Sequence, residues 1–206
     1  MIIKKTTQIL TLVIGVLLFS NVSFSQESKA TLDGFWGIKF GSTIPETKKI
    51  LLSKKTGTID EKNSSETSIV LLKPEFAGKT PLFMVLQFVD DKFHTAKVVF
   101  KSTLDAKVFE LYDSVKKDIN DKYYKTEKDY KFFKSPFEDG DGYETTALKV
   151  GKATIAAYWT FKQADGFENS VSLEIDETLL VVLNYQDAKL VKQAIEKQKN
   201  KNAKDY

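Results

Sequence analysis

The densest group of side chains that could bind a metal ion is an acidic loop near residue 140. Carboxylates at Glu138, Asp139, Asp141 and Glu144 are interspersed with two glycines. Calcium takes about six to eight oxygen ligands, so this composition suits a calcium site. An EF-hand loop requires glycine at its sixth position, and counting from Asp139 that position is Glu144. The spacing therefore favours a solvated loop, and calcium is the one cofactor that the sequence leaves open.

A second group of candidate residues is aromatic and is interleaved with lysines between residues 122 and 143. Aromatic faces among cations can stack the bases of a nucleic acid or the surface of a sugar or peptide. Rings in such an irregular segment more commonly cover one end of a hydrophobic core. The residues assigned to the ligand-binding alternative are Tyr124, Tyr130, Phe132, Phe133, Phe137 and Tyr143.

The composition removes several chemistries. The chain has no cysteine, which excludes disulfides, iron–sulfur clusters and a thiol nucleophile. All 31 basic residues are lysines, so the bidentate arginine fork used for phosphate and guanine is absent. The single histidine, His94, follows Asp90 and Asp91 and could shuttle protons with them, but no nucleophile motif accompanies it. A carboxylate-based, glycosidase-like hydrolase stays open, because it needs only two acids suitably placed.

The first 25 residues have the layout of a secretory signal peptide. Lys4 and Lys5 precede an apolar segment at 9–19, and small polar residues follow up to Ser25. Because a membrane-spanning helix needs about 20 apolar residues, this segment is too short to be one. We expect cleavage after Ser25 and export to the periplasm or beyond the cell, with no transmembrane segment left. Loss of the two lysines lowers the formal net charge from +3 to +1, which gives no electrostatic reason to expect nucleic acid as a partner.

The rest of the chain predicts one α+β domain at 33–197. A mobile lead-in at 26–32 precedes it, and a lysine- and asparagine-rich tail at 198–206 is expected to fray. The predicted order is helix, three strands, helix, four strands, helix, with the helices packed on one face of antiparallel sheet. Thr43 and Glu46 form a capping box for the first helix.

The remaining elements follow from hydrophobic periodicity. Apolar residues recur every three or four positions in 104–123, which predicts the longest helix. Glu144–Val150 and 153–163 are predicted to pair as a hairpin around Gly151. The other predicted strands are 68–72, 82–89, 93–101, 171–175 and 179–185, and the last helix begins near Asp187.

The segment Phe35–Ser42 (FWGIKFGS), with 147–153, Tyr158, Trp159 and 181–185, resembles a group of exported, largely uncharacterised proteins of Bacteroidota-type bacteria. The two halves, each a helix followed by antiparallel strands, also resemble the tandem repeats of β-lactamase-inhibitor-like and outer-membrane-assembly lipoprotein folds. The lipidated cysteine of the assembly lipoproteins is absent. The resemblance implies an envelope binding or inhibitor-like module.

Together these observations favour an exported binding module over an enzyme. The expected partner is an envelope protein, a peptide or a glycan. Two alternatives remain, a carboxylate-based hydrolase and a binding module stabilised by calcium at the acidic loop.

Overall fold

The computed structural model describes residues 31–203, so the predicted signal peptide and most of the predicted lead-in lie outside it. The helices are α1 (Ile44–Ser53), α2 (Val108–Lys122), α3 (Glu144–Lys149) and α4 (Ala188–Asn202), with a 3₁₀ turn at Asp105–Lys107. The strands are β1 (Gly34–Phe35), β2 (Ile38–Lys39), β3 (Thr58–Ile59), β4 (Ser68–Leu72), β5 (Phe83–Val89), β6 (Lys92–Lys101), β7 (Lys128–Phe133), β8 (Ala153–Lys162), β9 (Glu168–Ile175) and β10 (Leu180–Gln186). The predicted α+β class is confirmed.

Strands β1 and β2 form a small hairpin, and the other eight form one antiparallel sheet in the order β3-β4-β5-β6-β10-β9-β8-β7. Each half of this sheet is a four-stranded meander preceded by a helix, α1 or α2. The two meanders meet where β6 pairs with β10, in a register that runs from Lys101↔Leu180 to Thr95↔Gln186. A single hydrophobic core therefore spans both halves.

One face of the sheet, which we call the core face, carries that core. On β10 the buried Leu183 and Tyr185 point to this face, and α2 packs over them through Val115 and Ile119. Leu51 of α1 belongs to the same buried cluster. The strand residues of the cluster follow the two-residue alternation expected for a half-buried sheet.

The predicted capping box begins α1 and also ties the helix to the sheet. The Thr43 amide donates to Glu46 Oε2 at 2.8 Å, and the Glu46 amide donates to Thr43 Oγ1 at 3.4 Å. The next amide, of Ile44, donates to Asp91 Oδ1 in the β5–β6 turn at 2.9 Å. The first turn of the helix thus has acceptors for amides that the helix itself cannot satisfy.

The β1–β2 hairpin closes one end of the core. The buried ring of Phe35 lies 5.0 Å from that of Tyr185, measured between centroids. A Cβ atom on Gly34 would lie 2.1 Å from the carbonyl oxygen of Ile38, so the two hairpin strands can approach this closely only with glycine there. Leu32, just before the hairpin, is buried, and its carbonyl accepts a hydrogen bond from Asn169 Nδ2 at 2.9 Å.

The predicted strand at Glu144–Val150 is wrong, because the segment Glu144–Lys149 is helix α3. Its adjacent residues Ala147 and Leu148 are both buried, whereas a half-buried strand would bury alternate residues. The position beside β8 is taken instead by β7, in a segment that the sequence indicated to be irregular. Five of the six residues of β7 are exposed, so the strand has no apolar alternation to reveal it.

Helix α4 lies on the opposite side of the sheet from α1 and α2, a difference from the one-sided packing expected. It packs beside Gln186 and Ser170, whose side chains alternate with those of the core face. Asp187 begins the helix as predicted, since its Oδ1 accepts a hydrogen bond from the Leu190 amide at 2.8 Å. The helix continues to Asn202, so residues 198–202 of the predicted tail are helical.

His94 lies at the junction of β6 and α4 and is 8 % exposed. Its Nδ1 is 2.8 Å from Thr95 Oγ1, and its carbonyl accepts a hydrogen bond from the Asp187 amide. The two acids that precede it in the sequence are engaged elsewhere, Asp90 with Lys197 and Asp91 with Ile44. Burial lowers the pKa of His94 below its ordinary 6.5, and the negative charge of Asp187 offsets this in part.

The lowered pKa of His94 predicts a loss of stability on mild acidification. The unfolded chain binds a proton at His94 more readily than the folded chain does, so stability is full above the unfolded pKa of 6.5 and falls as the pH drops below it. Melting temperatures measured between about pH 7.5 and about pH 5 should fall more steeply for the natural protein than for His94→Gln. An equal fall in melting temperature with pH for the two proteins would contradict the lowered pKa of His94.

Candidate functional site

The face opposite the core face is largely free of helices, and we call it the open face. Among residues 31–203, α4 is the one helix on it, and α4 covers the end near the β5–β6 turn. One row of paired residues crosses this face from β4 to β7 and is apolar except for one carboxylate. The row is Leu72, Phe83, Val99, Val182, Glu174, Ala156 and Tyr130.

Three exposed aromatic rings, Tyr130, Phe132 and Tyr158, stand at the β7–β8 end of the open face, and we call them the aromatic patch. Tyr130 is 52 % exposed, Phe132 55 % and Tyr158 38 %. The rings of Tyr130 and Tyr158 meet edge to face with centroids 5.9 Å apart. Aromatic rings are costly to leave in water, so three of them clustered on one surface mark a candidate contact site.

The pairing of β7 with β8 holds these rings in place. Ala156 faces Tyr130 and Thr154 faces Phe132 across the strand pair. Because both partners are small, they leave the rings of Tyr130 and Phe132 more than half exposed. A ligand would therefore meet side chains whose backbone is already fixed, which lowers the entropy cost of binding.

Polar groups lie next to the aromatic patch on β9 and β10. The Asn184 Nδ2 donates to Ser172 Oγ at 3.3 Å, and Ser172 pairs directly with Tyr158. Glu174 pairs with Ala156 and is exposed. The surface thus combines aromatic faces with hydroxyl, amide and carboxylate groups. Such a surface can stack on a sugar ring or a planar side chain while hydrogen-bonding its polar edge.

The six aromatic residues assigned from the sequence do not share one surface. Tyr130 and Phe132 lie in the aromatic patch, whereas Phe133 packs against the core on the other face of β7. The hydroxyl of Tyr124 donates to the carbonyl of Thr160 at 3.0 Å and accepts from its amide at 2.7 Å. Tyr124 therefore supports the sheet beside β8. The other two, Phe137 and Tyr143, lie on the loop between β7 and α3.

Tyr158 is a member of the aromatic patch that the sequence reasoning missed. The strand that contains it was predicted at 153–163, and Ile155, Ala157, Trp159 and Phe161 of that strand are buried. By strict alternation Tyr158 points the other way, so the signal was present. Its proximity to Tyr130 could not be seen because the pairing of β7 with β8 was not predicted.

The carboxylates of the acidic loop form hydrogen bonds within the loop. Asp141 accepts from the amides of Glu138 at 2.9 Å and Tyr143 at 2.7 Å, and Glu144 accepts from the Gly140 amide at 2.9 Å. Asp139 forms an ion pair with Lys131. Within the described residues no cluster of three or more potential metal ligands occurs. A calcium site at Glu138, Asp139, Asp141 and Glu144 stays a prediction.

Two cavities are each lined by a pair of aspartates, which bears on the hydrolase alternative. A cavity of about 310 Å³ is lined by Asp165 and Asp187, and one of about 230 Å³ by Asp113 and Asp129. A general acid for glycoside hydrolysis needs a raised pKa. Asp165 has the opposite, because hydrogen bonding by the Phe167 amide, helped by Lys189, lowers its pKa.

The other three aspartates of these cavities already have partners. Asp187 caps α4. Asp113 and Asp129 share the ammonium group of Lys116, at 3.2 and 3.1 Å. All four carboxylates are therefore already engaged in hydrogen bonds or ion pairs, and the carboxylate-based hydrolase stays an alternative prediction.

A third cavity, of about 210 Å³, opens between the β1–β2 hairpin and α2 and is mainly apolar. Trp36 and Phe76 line it, and the ion pair of Lys79 with Asp118 lies at its rim. Pockets that enclose small ligands are usually about 300–1,000 Å³. The cavity is therefore smaller than a typical ligand site, and the aromatic patch remains the strongest candidate surface.

The hydrogen bonding of the acidic loop generates a test for calcium. Because Asp141 and Glu144 already accept backbone hydrogen bonds, we expect the same melting temperature in millimolar calcium and in excess chelator. The variant Asp141→Asn should also have the same melting temperature in both buffers. A calcium-dependent rise of more than about 3 °C in the natural protein, absent from Asp141→Asn, would establish the calcium site.

Comparison with known proteins identifies no relative. No protein-family model matches the chain, and no curated protein or solved structure is significantly similar to it. The resemblance to exported Bacteroidota-type proteins therefore stays a prediction.

Proposed function

We propose that this protein is an exported, non-enzymatic binding module of the cell envelope that contacts its partner through the aromatic patch. The carrying observation is the exposure of Tyr130, Phe132 and Tyr158 together on paired strands. The partner is an envelope protein, a peptide or a glycan. A broad, shallow surface with rings and polar groups suits an extended ligand better than a small enclosed one.

Export is supported by the order of charged, apolar and small residues in the first 25 positions. Among residues 31–203, the helices are too short or too polar to pass through a bilayer. The location proposed for the working protein, on the basis of the signal-peptide layout, is the periplasm or the outside of the cell. On β7 and β8 the side chains that alternate away from the core include the three aromatic rings of the patch. This supports the binding role, since a strand face with no partner would ordinarily carry polar residues.

Export predicts a defined N-terminus and a requirement for the apolar segment. Mass spectrometry of the exported protein should find Gln26 as its first residue. Val13→Glu places a charge in the apolar segment and should leave uncleaved protein in the cytoplasm, whereas Lys29→Glu should be exported normally. Retention of Met1 in the exported protein would contradict this prediction.

Removal of the aromatic patch should weaken binding strongly while leaving the fold intact. We expect the triple variant Tyr130→Ser, Phe132→Ser, Tyr158→Ser to lose at least about tenfold in affinity, because exposed aromatic anchors commonly carry most of the binding energy. The measurement is quantitative capture from envelope extracts, combined with a glycan array. Identified ligands are then titrated against each variant.

The matched control is Leu52→Ser, which removes an apolar side chain that is 70 % exposed on α1, away from the patch. It should bind as the natural protein does. Equal affinity of the triple variant and the control, with circular dichroism showing both folded, would overturn the proposed binding surface.

A further inference from the structure

Strand β7 leaves one edge of the eight-stranded sheet unpaired among the described residues. Lys134 donates to the carbonyl of Lys152 at 2.8 Å, and the same register pairs Phe132 with Thr154 and Tyr130 with Ala156. Even-numbered residues of β7 therefore bond to β8, and the amides and carbonyls of the odd-numbered residues point outward. The opposite edge, β3, has only two residues, so β7 is the longer template for a further strand.

We propose that a second copy of this chain pairs antiparallel along β7, with the two Tyr130 residues facing each other across the two-fold axis. In this register Asp129 lies opposite Lys131 of the second copy, and Lys131 lies opposite Asp129. Both are outward-pointing positions, so they form the hydrogen-bonded pairs of the new ladder. Phe132 lies opposite Lys128 of the second copy, an arrangement that favours a cation–π contact.

The charges favour this register over its neighbours. Centring the pair on Phe132 would oppose Lys131 to Phe133 and Asp129 to Ser135, which forms no ion pair. Centring the pair on Lys131 or on Asp129 would place that residue opposite its own copy, and like charges directly opposite are destabilising. Centring it on Lys128 would also oppose Glu127 to Asp129. Lysines on an edge strand usually discourage pairing. In the register centred on Tyr130, however, each lysine of β7 faces an aspartate or an aromatic ring of the second copy.

The isologous pair would join two eight-stranded sheets into one. The axis stands perpendicular to the sheet, so the open faces of both copies form one surface and their aromatic patches become neighbours. The ion pairs between Asp129 and Lys131 lie on the side of the core face. The inference does not rest on the proposed function, because it concerns the strand edge whatever the patch binds.

Single cysteines test the register, since the natural chain contains none. Facing residues at the axis of such a pair have Cα atoms about 4.5 Å apart, within the range of a disulfide. Tyr130→Cys should therefore form a covalent dimer rapidly under mild oxidation. Phe132→Cys is equally exposed but would lie roughly 13 Å or more from its copy, and it should crosslink slowly. Equal rates for the two variants would overturn the proposal.

Charge reversal tests the same register without an added thiol. Sedimentation velocity of the natural protein at high micromolar concentration should show a dimer. Asp129→Lys alone or Lys131→Asp alone should be monomeric, and the double variant should recover the dimer. Asp129→Lys loses the internal ion pair with Lys116, Lys131→Asp loses that with Asp139, and the double variant loses both, so recovery in the double variant cannot come from those pairs. The proposal would be overturned if the natural protein stayed monomeric at every concentration, or if the double variant stayed monomeric. Either result leaves the patch-binding test unaffected.

Discussion

The pairing of β6 with β10 is the constraint on which the rest of the structure depends. Each meander contributes four strands with one apolar face to a single core cluster. The β6–β10 ladder joins the two faces into a continuous apolar surface. That surface is wide enough for α2 to pack across it and for the β1–β2 hairpin to rest on Tyr185. Both helices that precede the meanders consequently bury their apolar sides in one place.

The same constraint explains where a binding surface can occur. With α1, α2 and the hairpin on the core face, α4 at one end is the one helix that covers the other face within residues 31–203. The rings of Tyr130, Phe132 and Tyr158 on β7 and β8 alternate away from the core and therefore remain exposed. Other strands also carry apolar residues on the open face, such as Phe83 and Val99, but these are less exposed than the three rings. The exposure of three aromatic rings together is what singles out the patch.

Elements whose burial is strongly periodic were predictable from the chain alone. Val108, Val115 and Ile119 recur at helical spacing, and α2 lies within the helix predicted at 104–123. Strand β4 was predicted with the bounds observed. The prediction failed for β7 because its exposed residues carry no period, and for α3 because a six-residue helix is too short to show one. The patch was only half predicted for the same reason, since one of its strands was missing.

The sequence by itself determined the residues that enter the core and the chemistries that the composition excludes. It did so because the period of burial along a helix or strand is a local property, and because absent cysteine and arginine cannot be supplied by folding. The tertiary structure alone decided which aromatic rings stand together, which side of the sheet α4 covers and which strand is left at the edge. These three features depend on the pairing of segments that are far apart in the chain. The energy of that pairing is shared among many residues, so no single sequence motif reveals it.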